Sequence, residues 1–282
     1  SIISPPNCDK NISPLSTALQ EHDGSQALES YTQASEKSQF KDLIESGTLI
    51  DEWTQVKLLH DLPRKTTGKH KHSELMAVEL IETLKQAQSS VFLVTPYFIP
   101  GEYTDVFVNL SAQNINLHIR TNSFKVTDSA TVHAAYVGFR KPLLEAGIGL
   151  SELKVEGYSR QNQDTLSGFS GSLDTSLHAK TFCIDQQTVF IGSFNFDPRS
   201  IAINTEMGML ISSHSLANQI HDHFNGAQTQ DAYELQVENG GLIWLENLKN
   251  GSTKAHHHEP LTTKTERLLI RIIGRLPINR ML

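Results

Sequence analysis

Residues 177–196, LHAKTFCIDQQTVFIGSFNF, restrict the fold more than any other stretch of this chain. Two runs rich in apolar, β-branched and aromatic residues, LHAKTFCID and TVFIGSFNF, flank a Gln-Gln turn and predict a strand–turn–strand unit. Side chains two apart on a strand share a face. His178 and Lys180 therefore point together, away from Leu177, Ala179 and Thr181. Ser193 and Asn195 repeat that arrangement on the second run, beside Gly192, where a backbone or a ligand can come close. Imidazole and ammonium groups cost free energy in an interior unless they are paired or hydrogen-bonded. Their joint placement predicts a polar site rather than a stretch of core.

The rest of the chain supplies partners for such a hairpin. TQVKLLHDL (54–62), SSVFLVTPYFIPG, INLHIRTNS (115–123), LSELKVE and NTEMGMLIS read as strands. HSELMAVELIETLKQAQ (72–88), SATVHAAYVGFRKPLLEAG (129–147, closed by Gly147) and SLANQIHDHFNGA read as helices. YELQVENGGLIWLEN predicts a hairpin about Asn239-Gly240. Strands alternating with helices predict a layered α/β domain. PRKTTGKHKH, from Pro63, reads as a polar basic loop. Residues 1–52 are rich in Ser, Gln, Asn, Asp and Thr, with helical stretches expected around 25–46, and read as a linker or the remnant of a missing half. Residues 53–250 form the predicted domain. Within 251–282, ERLLIRIIGRLPINRML interleaves apolar residues with Arg267, Arg271 and Arg275 at four-residue intervals, a basic amphipathic segment. It suits a membrane surface or a terminal helix packed on the domain.

Composition excludes several classes. With 38% hydrophobic residues the chain can bury a core, and no apolar run reaches the ~18 residues a spanning helix needs. The net charge of −7 gives no global attraction for nucleic acid. Two cysteines, Cys8 and Cys183, allow neither a disulfide framework nor a cysteine-rich zinc site, and fit a reducing compartment. His256-His257-His258 reads as a solvated loop and no metal centre is predicted. The chain opens on serine, from which a processed or truncated product is expected.

Imidazole, ammonium, hydroxyl and amide groups in one small volume suit a phosphate diester. The ammonium and the Ser/Asn donors can hold non-bridging oxygens as charge develops. A histidine can act as nucleophile or proton donor near neutrality without a metal. Asp185 lies seven residues beyond His178, an odd spacing that points it away and predicts a structural role. Glu206, on the following strand, is the candidate to hold the second imidazole nitrogen.

His178-x-Lys180-x4-Asp185-x6-Gly192-Ser193-x-Asn195 closely resembles the HKD signature of the phospholipase D superfamily. DPRS (197–200), NTEMG (204–208), TPYFIPGE (95–102), the segment 121–147 and LPINRML resemble landmarks of the second half of bacterial cardiolipin synthases, so that about 55–282 is covered. The resemblance implies an α/β/α sandwich with a mixed central sheet, and catalytic roles for His178, Lys180, Asp185, Ser193, Asn195 and Glu206. It also makes Tyr97, His133, Tyr136 and Arg140 candidates for lining the substrate, against a role in core packing. It implies a phospholipid substrate, no cofactor, and a peripheral place on the cytoplasmic side of a bacterial membrane. Transfer of a phosphatidyl group is the activity it implies, with hydrolysis or a dimeric nuclease as the alternative. Family sites use two HKD motifs, and this chain carries one. A missing N-terminal half, or a homodimer partner, is expected to complete the site.

Overall fold

The computed structural model describes residues 46, 52–154, 177–225 and 230–275 of the 282. The helical stretch expected at 25–46, Ser46 apart, and the closing LPINRML (276–282) lie outside them. Residues 53–282 make one compact unit. It is built on a ten-stranded mixed sheet, with strand order β1-β7-β6-β5-β2-β3-β4-β8-β9-β10. In chain order the strands are β1 (Val56–His60), β2 (Ser90–Val94), β3 (Asn116–Asn122), β4 (Gly149–Leu153), β5 (Thr181–Ile184), β6 (Thr188–Gly192), β7 (Met207–Ser212), β8 (Ala232–Glu238), β9 (Gly241–Asn247) and β10 (Thr253–His256). The pairs β2–β3 and β3–β4 are parallel and the other pairs antiparallel.

The helices are α1 (Met76–Leu84), α2 (Thr104–Ala112), α3 (Ala130–Glu145), α4 (Pro198–Ala202), α5 (His214–Asn225) and α6 (Lys264–Ile273). Leu80 of α1, Phe107 of α2 and Leu143 of α3 bury against Leu93, Ile119 and Phe190 on one sheet face. Ala217 and Ile220 of α5 bury against Phe92, Cys183 and Val189 on the other. Both faces of β2 are thus covered, which is why SVFLV reads as an unbroken apolar run rather than an alternating one. The predicted α/β/α layering is the architecture found.

Local chemistry sets the element ends. Ser129 Oγ accepts the Val132 N–H at the start of α3, and Gly147 closes it at φ 83°. Asn239 and Gly240, at φ 50° and 78°, make the predicted β8–β9 turn. In the β5–β6 turn the left-handed positions are Asp185 and Gln186, at φ 54° and 53°.

Phe190 explains Gly192 of the motif and Gly208 of NTEMG. Its ring lies over Gly192 and Gly208, which face each other across β6 and β7. A Cβ on Gly208 would stand 2.4 Å from the ring, and one on Gly192 would stand 2.4 Å from Met207 O. Gly208→Ala is expected to destabilise the domain by about 3 kcal/mol, since overpacking a filled interior forces backbone and rotamer shifts. Thermal denaturation checks it, and Phe190→Leu in the same chain should recover part of the loss.

Candidate active site

The motif residues except Asp185 gather at the edge of the sheet where the parallel strands β2 and β3 end. Ligands of open α/β sheets bind at this carboxyl edge. Asn122, the last residue of β3, brackets the approach to β5. Its Oδ1 accepts the Leu177 N–H at 3.1 Å and its Nδ2 donates to Leu177 O at 3.4 Å. His178 follows directly, with its ring exposed and hydrogen-bonded to no described residue. Lys180 is 8% exposed, and its Nζ donates to His178 O at 2.9 Å. Burial pushes the Lys180 ammonium below its ordinary range, and Glu206, Asp128 and Asp197 partly offset that. A phosphate arriving beside it would restore the lost stabilisation of its charge.

Ser193 and Asn195 come from the segment after β6. Ser193 Oγ donates to Glu206 Oε2 and accepts the Met207 N–H at 3.1 Å. Glu206 was expected on the second nitrogen of His178; its carboxylate instead meets Ser193. The serine stands just past the end of β6, and Glu206 is held within its reach by the bond from its own N–H to Asp61 Oδ2 at 3.0 Å. Asn195 Oδ1 is buried and has no hydrogen-bond partner. A buried polar atom of this kind needs an explanation, and a ligand group that donates to it would supply one. The strand-like TPYFIPGE segment runs alongside, through an Ile99 N–H to Phe196 O bond of 2.6 Å and a Phe98–Phe196 bridge.

Asp185 stands at the far end of β5, roughly 20 Å of strand from His178. Its carboxylate accepts the N–H groups of Gln88, Ser89 and Ser90 and the Ser89 hydroxyl. Burial alone would raise this carboxyl, but those backbone donors outweigh it and hold it below its ordinary range. Asp185 thus ties the β5–β6 turn to the start of β2, so its reach is structural.

The four substrate-lining candidates separate. Tyr97 is near the site, its hydroxyl donating to Asp128 Oδ1 at 2.6 Å, and burial together with that bond pushes its pKa up. His133, Tyr136 and Arg140 are 3%, 2% and 1% exposed and, among the described residues, pack in the interior. Arg140 donates to Glu152 and Glu259, both at 2.7 Å, and His133 Nε2 meets Glu259 at 2.5 Å. Their shared helical face was legible. It turns inward because two carboxylates, from β4 and from the loop before α6, wait there.

Two supports went unread in the sequence. Asp61 accepts the Met76 N–H at 2.9 Å and the Glu206 N–H at 3.0 Å. Lys65 Nζ binds Asp61 at 2.6 Å and Ser200 O at 2.8 Å, with both side chains 1% exposed. This pair fixes the backbone that carries Glu206. The only sequence signal was an aspartate four residues before one lysine of an otherwise solvated basic loop. Asp197, in DPRS, caps α4 by accepting from Arg199 and Ser200 N–H groups, with Pro198 in the first turn.

Comparison with known proteins agrees with this geometry. Residues 80–227 match the family described as cardiolipin synthase, PLD-like domain. Cardiolipin synthase C of Escherichia coli (strain K12) is 34% identical over 97% of this chain and 61% of its own length. An uncharacterized protein of Helicobacter pylori (strain ATCC 700392 / 26695) is 34% identical over 58% of this chain and 32% of its own. The crystal structure of phosphatidylserine synthase from Haemophilus influenzae Rd KW20 shares the fold, with a TM-score of 0.51 and 15% identity over 82% of this chain and 48% of that one. The chain thus spans less than two thirds of the length of each of these relatives.

Proposed function

Because the chain belongs to the PLD-like domain family of the cardiolipin synthases, we propose that it is the HKD-bearing half of a phosphatidyltransferase that exchanges alcohols on a phospholipid phosphodiester. The observation that carries this reading is one exposed imidazole, His178, set beside a buried ammonium, a hydroxyl and a ligand-ready amide. Lys180 and Asn195 would hold the non-bridging oxygens, with Ser193 assisting.

A double displacement at phosphorus needs two imidazoles. In the first step a histidine of the twin motif forms a bond to phosphorus. The bond to the leaving alcohol's oxygen breaks, and His178 gives that oxygen a proton. In the second step His178 takes the proton of the incoming alcohol, whose oxygen displaces the phosphohistidine. Asp185 and the Asp61–Lys65 pair would hold the frame without touching substrate.

The twin motif would come from an upstream half, as the longer relative leaves room for. Its docking face would be the outer side of β1 and β7, where Leu58, Met207 and Met209 are 55%, 57% and 44% exposed beside Glu206. Contiguous exposed apolar surface of this kind marks an interaction site. No helix among the described residues is long and apolar enough to cross a membrane, and a peripheral position on the cytoplasmic side suits the reading.

The test restores the upstream half and supplies phosphatidylglycerol vesicles. The expected product is a lipid with two phosphatidyl groups on one glycerol, with free glycerol released. Release of phosphatidic acid alone, whatever alcohol is offered, would make the protein a hydrolase. Cleavage of single-stranded DNA without lipid turnover would make it a nuclease.

A further inference from the structure

Helix α6 has two apolar sides, and the domain uses one. Thr263 caps its start in a reciprocal box with Glu266, through bonds of 3.2 Å and 2.7 Å. Its end lies hard against α3, where a Cβ on Gly274 would stand 2.6 Å from Ala134 O. The inward side carries Ile270, which is 4% exposed. At 100° per residue, Leu268, Leu269 and Ile272 fall on the opposite arc, and they are 56%, 55% and 53% exposed.

A helix lying against water would carry polar residues there. This one carries branched apolar side chains, with exposed Lys264, Arg271 and Arg275 along one shoulder of the arc. Its one acidic residue, Glu266, is neutralised by Lys125 at 2.6 Å. The local charge is therefore positive in a chain whose net charge is −7. An apolar stripe with a cationic shoulder is the chemistry of a helix lying in the plane of an anionic bilayer.

The position adds to the chemistry. Lys125, which holds Glu266, belongs to the 123–129 loop that follows β3. Val126 of that loop packs with Leu177, the neighbour of His178. The helix is thus braced against the edge of the sheet that bears the motif.

We propose that α6 docks the protein on an anionic lipid surface and turns the His178 edge toward it. The orientation rests on the phosphatidyl-transfer reading; the docking does not.

The experiment measures binding and not turnover, so either idea can fail without the other. The full chain is sedimented with vesicles of phosphatidylcholine alone and of phosphatidylcholine with phosphatidylglycerol. Binding is expected to the anionic vesicles, weakening as salt is raised. Leu268→Ser with Ile272→Ser should lower the affinity by about tenfold or more. Lys264→Gln with Arg271→Gln should lower it by roughly fivefold per charge removed. As a check that needs only one exposed change, Leu268→Trp fluorescence should shift to the blue on anionic vesicles. Equal binding to both vesicle types, no binding at all, or wild-type affinity in the serine variant overturns the proposal. So does a serine variant that loses self-association while its vesicle binding is unchanged, which would assign the arc to a second copy of the chain.

Discussion

Arg140→Met is expected to cost the domain about 3–5 kcal/mol at neutral pH, the range found when a buried charge loses its partner. The guanidinium is 1% exposed and lies on α3 between two carboxylates. Glu152, 0% exposed, receives Arg140 Nε at 2.7 Å and the Trp244 indole N–H at 3.0 Å. Glu259, 7% exposed, receives Arg140 at 2.7 Å. The guanidinium carbon also sits 5.0 Å from the Tyr136 ring centroid and 5.4 Å from that of Trp244. Methionine fills much of the volume and leaves both acids without their cation. Lysine should rescue little, because one ammonium cannot reproduce a planar fork aimed at two acids.

The deficit has a pH signature. Burial would raise the Glu259 carboxyl, but Arg140 and His133 outweigh it and hold it well below its ordinary 4.5. A carboxyl whose pKa is lower folded than unfolded stabilises the fold above its unfolded pKa, and that contribution fades as pH falls toward the folded value. Arg140→Met removes the contribution. The gap between wild type and variant should therefore be widest above about pH 5 and narrow in acid. Urea denaturation at pH 7 and pH 4 measures it. A gap that widens at pH 4, or one under about 1 kcal/mol at pH 7, would refute the account of this cluster.

What the sequence disclosed follows from the range over which each signal acts. The β5–β6 unit, the Asn239-Gly240 turn and the α3 boundaries were legible, since apolar period and turn chemistry are local. Helix α2 carries a weaker signal: Tyr103, Phe107 and Leu110 recur at helical spacing, but it is short and follows directly on the proline- and glycine-rich TPYFIPG, whose breakers mask its start. Strand β10, TKAH, has no apolar run and forms because β9 offers it an edge. At the site, the approach of His178 and Lys180 to Ser193 and Asn195 follows from the pairing of β5 with β6 and could be read, but both residues precede β5, which starts at Thr181, and the imidazole is exposed while the ammonium is buried. The partner of Ser193 could not be read. It depends on where Glu206 is held, and Glu206 is held by Asp61, 145 residues away in sequence. Lys65 was misread for the same reason. A lysine in a basic loop is normally solvated, and this one is buried only because Asp61 and Ser200 O, from distant elements, satisfy it.

In the completed two-motif enzyme, His178→Ala is expected to lower phosphatidyl transfer by roughly 10²–10⁴-fold, the usual worth of a positioned general acid. A structural histidine could give a similar loss, so the leaving group must separate the two. On the proposed reading glycerol departs as a strongly basic alkoxide and needs a proton, which His178 would supply. A p-nitrophenolate departs without one. On a p-nitrophenyl phosphodiester the first step in His178→Ala should therefore recover most of its rate. Lys180→Met should show no such recovery, because its ammonium answers the charge on the phosphate and not the basicity of the departing oxygen. The exposed ring of His178 makes the comparison clean, since removing it opens no cavity and strands no described partner. Burst kinetics on the two substrates would measure the split. Equal losses on both, or a recovery shared by Lys180→Met, would take the proton-donor role away from His178.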